Sequence, residues 1–196
     1  MCGSTLRLTY SEKPMSNPLF DVPPPVLDAT AAKVQQMLID KLRDERGVHI
    51  EDAISGAAAL GGVTLLRSTG VPLDTLEPGS AVLGTGVDDV GEHYIGFMAA
   101  VCDMMDLDPR GGWGDPVPAE NKPHRSVLEL TQLLEPAFVA LCDEDSVPPA
   151  ARARVGVFTA IRILSVGRQA IEQSIGKALA LESFVFGAKT VPHPLP

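Results

Sequence analysis

Between Asp52 and Arg67 the chain reads Ala-Ile-Ser-Gly-Ala-Ala-Ala-Leu-Gly-Gly-Val-Thr-Leu-Leu, with no charge on any face a helix could present. A helix that is apolar all round has to lie inside a bundle. Its ends agree with a helix from about Ile50: Glu51 and Asp52 stand where an N-terminus favours anions, and Arg67 where a C-terminus favours cations. Gly56, Gly61 and Gly62 each cost about 1 kcal/mol against alanine in a helix interior. Close approach of neighbouring backbones offsets that loss. Small residues recur at i,i+4 in the pairs Ser55/Ala59, Ala57/Gly61 and Ala58/Gly62, which lays flat strips along the rod. The stretch is therefore expected to be the central packing helix of the fold.

The 196 residues suffice for one domain with a sizeable core. A net charge of -9, without a basic cluster, argues against nucleic acid and anionic lipid as partners. The uncharged run Ala53 to Leu66 falls short of the ~20 residues that span a bilayer. The first residues lack the apolar core of a secretory signal, so a soluble cytoplasmic protein is expected. Cys2, Cys102 and Cys142 are an odd set with no close pair, which speaks against a disulfide scaffold.

Residues 1–25 read as an extended arm, disordered or packed on a partner, with Met15 an alternative start and Pro23-Pro24-Pro25 forbidding a helix. Residues 26–187 form the single helical domain, and 188–196 a proline-rich tail. Leu27, Ala31, Val34, Leu38 and Leu42 set one helical seam, with Asp28 or Thr30 as cap and Gly47 as stop. After Gly70 comes a long loop in which Ala81-Val82-Leu83 can add a short strand. A two-faced helix then runs from about Asp88 to Met105, with Tyr94, Phe97, Met98 and Val101 on its apolar side. Leu107 to Arg125 is a second long loop. Ser126 and Glu129 make a capping box, and Pro136 should kink or divide the helix that follows. That helix ends in Asp143-Glu144-Asp145, an acidic terminus expected to face solvent. From Pro148 a largely helical pattern runs to Gly187, with Gly167 and Gly176 as possible breaks. The sum is an all-α, irregular bundle of about five helices around a central Gly/Ala-rich helix, with two long loops.

No family resemblance is strong enough to carry a function. Gly84-Thr-Gly-Val-Asp88-Asp89 is a poor phosphate cradle, because the two acids sit where the phosphate would and the Lys-Ser/Thr of a P-loop is missing. Asp89-x-x-Glu92 and Asp103-x-x-Asp106 have the internal spacing of the magnesium motifs in all-α nucleotide pyrophosphohydrolases. One continuous helix would hold the two pairs about 21 Å apart, so they read as a solvated acidic face. No Gly-x-Ser-x-Gly turn is present. Haem or flavin binding leaves no readable motif in a bundle.

Two readings follow. In the first, the chain is a non-catalytic bundle that self-associates as a homodimer and binds a small ligand or protein through the long loop. Trp113, the one tryptophan, anchors that loop, with His124 and Arg168 supplying polar contacts. Arg168 falls in the seam Ile161, Leu164, Ile171, Ile175: it has to be paired internally, exposed by a change of helical phase at Gly167, or paired with a bound anion. In the alternative, the chain is a metal-assisted hydrolase of an anionic small molecule. Asp89 and His93, with Glu92 and His49, would then hold a divalent metal.

Overall fold

A computed structural model describes residues 22–83 and 85–195, except the side chains of 85–92. Residues 1–21, which include Met15 and most of the expected arm, lie outside the described residues. The described chain is an all-α bundle of six helices: α1 (Pro24–Leu42), α2 (Ile50–Ser68), α3 (Thr85–Met104), α4 (Val127–Glu144), α5 (Arg152–Val166) and α6 (Gln173–Lys189). Every residue of α2 from Asp52 to Leu66 is buried.

The small-residue strips on α2 are where other backbones touch it. A Cβ on Gly156 of α5 would lie 2.5 Å from the Gly61 nitrogen and 2.8 Å from the Ala57 carbonyl oxygen. At the far end of α5, Gly167 meets Ile50, so α5 runs antiparallel to α2. On the neighbouring strip Gly62 abuts the Phe184 carbonyl, and Gly187 of α6 abuts Ala59. Gly176, near the start of α6, packs on Leu164 near the end of α5, so α6 turns back along α5 and runs parallel to α2. The remaining flank is side-chain packed: Gly56 faces Leu38 of α1 and Leu130 and Leu134 of α4.

Several local expectations are corrected. Pro24 and Pro25 do not forbid a helix; they occupy its first two positions, where the missing N–H would have had no partner. The helix is entered through Pro23, with no side-chain cap from Asp28 or Thr30. Pro136 does not divide α4, which stays helical through it. Ala81 makes an isolated antiparallel bridge to Thr190, not a strand. The break after Gly167 is real, and it turns the expected fifth helix into α5 and α6. The acidic end of α4 is paired and not merely wet. Asp145 accepts hydrogen bonds from Thr30 (2.8 Å) and Lys33 (2.5 Å), and Arg152 bonds Asp143. Hydrogen bonds from Lys33 and then Thr30 hold the Asp145 carboxyl below the usual carboxylate range.

The buried carboxylate of Glu135, at the centre of α4, takes a two-pronged pair from Arg67, 2.5 and 3.0 Å. The same guanidinium donates to the His193 carbonyl at 2.8 Å and so ties down the segment after α6. Val191 in that segment is buried, so the expected tail is part of the packed structure.

Candidate functional site

The long loop after α3 is a strap across one end of the bundle. Trp113 turns inward: its indole N–H donates to the Pro109 carbonyl at 2.9 Å, and its ring lies 5.7 Å from the Lys177 ammonium. Lys177 is buried in the second turn of α6, and its Nζ donates to the carbonyls of Asp108 (2.9 Å) and Arg110 (2.7 Å). Buried charge of this kind persists only when its donors find acceptors. Gly112 has φ +78°, and a Cβ there would sit 2.7 Å from Ser174 Cα, so glycine allows the strap to lie on α6.

The strap's second half is anchored to the start of α2. Asp52, fully buried, accepts from the backbone N–H groups of His124 (2.7 Å) and Arg125 (3.3 Å) and from Arg125 Nη1 (3.0 Å). Asn121 reaches Glu51 at 3.4 Å. The imidazoles of His49 and His124 meet with ring centroids 3.9 Å apart, tilted by 51°, and His49 Nε2 lies 3.5 Å from an Asp44 carboxylate oxygen. His124 thus meets its partner through its backbone and ring. Arg168 is exposed in the turn between α5 and α6, where the helical phase is reset at Gly167. Lys177, Asp52 and Arg125, which hold the strap, were not singled out as a set by sequence. The available signal was Lys177, the one charge between Glu172 and Glu182 on an otherwise apolar helix.

Of the residues of the hydrolase reading, the two whose side chains are described, His49 and His93, belong to different helices. His93 is exposed on α3, and its Nε2 lies 2.9 Å from Arg154 Nη2. A guanidinium has no acceptor, so this nitrogen is the acceptor and its lone pair is engaged. His49 is at the N-terminus of α2, whereas Arg154 follows Ala153, which meets Gly61. Ile50 and Gly61 stand about 16 Å apart along the helix axis. The side chains of Asp89 and Glu92 lie outside the described residues. Among the described residues no group of three or more His, Cys, Asp or Glu side chains is placed to hold a metal ion. Beside His93, Tyr94 is buried with its ring on Phe184 (5.1 Å), and burial pushes its phenol up to about 12. Burial likewise raises the Cys102 thiol to about 11 and Cys142 to about 12, the opposite of activated nucleophiles.

A different surface is concave and largely apolar. Between the first turn of α1, the second half of α3 and the middle of α5 runs a groove of about 500 Å³. Leu27, Phe97, Val101, Met104, Met105 and Phe158 are among its lining residues, with Asp28 at the edge. Met104, the last residue of α3, is 63% exposed. The apolar face of α3 was legible in the sequence; that it would be only partly covered was not.

Comparison with known families, curated proteins and solved structures gives no match.

Proposed function

We propose that the chain is a helical ligand-binding protein whose site is the groove between α1, α3 and α5, and whose ligand is a small, largely apolar molecule. The observation that carries this reading is the groove itself: about 500 Å³, with two phenylalanines and two methionines among its lining. Pockets of about 300–1,000 Å³ with apolar walls and few polar groups are the usual shape of small-molecule sites. Methionine adds adaptable, polarisable contact to rings and alkyl chains. Asp28 at the edge is held by Arg162, so the rim offers a fixed polar contact to the ligand's end. The strap that carries Trp113 supports the bundle end and leaves the groove open.

The test is titration with N-phenyl-1-naphthylamine, a neutral dye whose emission rises in apolar surroundings. Saturable binding at one equivalent is expected, and Ala100→Trp, which fills the groove from its exposed side, should abolish it. Dye binding that A100W leaves unchanged, or no saturable binding to the parent chain, refutes the assignment.

A further inference from the structure

The outer face of α6 is apolar where a solvated helix would be polar. Val185 and Phe186 are 42% and 45% exposed, and Leu181 is half-buried beside them. With Pro116, from the strap just past Trp113, they wall a second groove of about 500 Å³. The charged side chains lining it are Asp115 and Glu182, both acidic and both exposed. One nearby cation, Lys177, points its ammonium inward, into the strap's carbonyls.

We infer that this groove docks a protein partner through a cationic amphipathic helix, apolar along one side and carrying lysine or arginine at its flanks. Charge selects this occupant. An apolar floor rimmed by Asp115 and Glu182 complements a basic amphipathic segment and repels an acidic one. A second copy of this chain fits worse, because a two-fold contact sets the same patch against itself. It would bring four carboxylates together on a protein that already carries a net charge of -9. This surface is separate from the α1/α3/α5 groove and does not depend on it.

The probes are two synthetic helices with the same leucine pattern, one with lysine and one with glutamate at the polar positions. Binding is read from the emission of Trp113, next to the groove rim at Gly114, and from calorimetry, using the full chain. The lysine helix should bind at least about tenfold more tightly than the glutamate helix, and its affinity should fall as salt is raised. Reversing both rim charges (D115K with E182K) should cost at least about tenfold in affinity for the lysine helix, whereas D74K with E77K, outside the groove, should cost less than about twofold. Phe186→Ser should weaken binding without moving the melting temperature. Equal binding of both helices, or equal loss from the two double reversals, overturns the inference. So does a dimer in sedimentation velocity that F186S dissolves while the lysine helix fails to bind.

Discussion

Replacing Gly156 by alanine should be among the most damaging single-methyl additions this fold can receive. A Cβ at Gly156 would meet three backbone atoms of α2: the Gly61 nitrogen at 2.5 Å, Gly61 Cα at 2.7 Å and the Ala57 oxygen at 2.8 Å. Ordinary contact begins near 3.4 Å, so the helices would have to part by close to an ångström. No rotamer change can relieve a clash with backbone. Overpacking of a tight core costs about 1–3 kcal/mol, and this site belongs at the upper end. Alanine returns about 1 kcal/mol of helix propensity, which leaves a net loss of about 2 kcal/mol. For a chain of this size that is a fall in Tm of about 4–8 °C. Two controls isolate the cause. At Gly56 the nearest atom is Leu134 Cδ1 at 2.8 Å, the end of a side chain that can turn, so propensity and crowding should nearly cancel. At Gly96 nothing lies within 4 Å, so alanine should stabilise by about 0.4–1 kcal/mol. Urea unfolding followed by far-ultraviolet dichroism, compared at constant slope, gives the three values. The order G96A, G56A, G156A from most to least stable is expected. A G156A protein as stable as the parent would refute backbone contact as the reason for the small-residue strips.

Two further perturbations probe the strap and a helix end. Lys177→Met keeps the packing volume but leaves the Asp108 and Arg110 carbonyls without their donor; each orphaned group costs about 1–3 kcal/mol. Trp113 emission should shift to the red as the strap loosens, and an unshifted spectrum would show that the ammonium does not hold it. Ser126→Ala removes the hydroxyl half of the capping box of α4, in which the Ser126 hydroxyl donates to the Glu129 carboxylate and accepts from the Glu129 backbone N–H, while the backbone N–H of residue 126 still donates to that carboxylate. Those bonds hold the Glu129 carboxyl below the usual range. A lowered folded value means stability that is present above the unfolded value of about 4.3 and lost as pH falls through the folded one. The urea midpoint of S126A should therefore trail the parent at pH 7, and the gap should narrow below about pH 4; a gap that is constant across pH would contradict this.

What the sequence disclosed and what it withheld divide along physical lines. The burial of α2 was legible because it needs only the absence of charge over four turns, and the flat strips were legible because i,i+4 spacing is local. The capping box at Ser126 was legible for the same reason. Long-range pairing was not: nothing at Asp52 says that its partner is Arg125, and nothing at Arg67 says Glu135. Pro24 and Pro25 misled because a proline run excludes a helix interior but suits a helix start, and only the chain beyond decides which. Arg168 was left open among three environments; Gly167 chose exposure, since the guanidinium leaves the seam when the helical phase is reset there.

Why the two grooves stand where they do follows from the same small residues. α2 meets α5 and α6 through glycine and alanine, so those contacts bring backbones together and consume few bulky side chains. On α6 Gly176, Ala180 and Gly187 face inward beside the bulkier Leu179 and Phe184, while Val185 and Phe186 are turned outward with Leu181 half-buried next to them. α3 is affected in a different way. It packs on α5 and, through Tyr94 on Phe184, on α6, and leaves Met104 63% and Ile95 39% exposed. Apolar surface is thus displaced from the centre of the bundle to two outer faces. A core built on close backbone contact makes such faces a structural consequence, and the two differ in charge: Asp28 is paired with Arg162 beside the first, whereas Asp115 and Glu182 line the second.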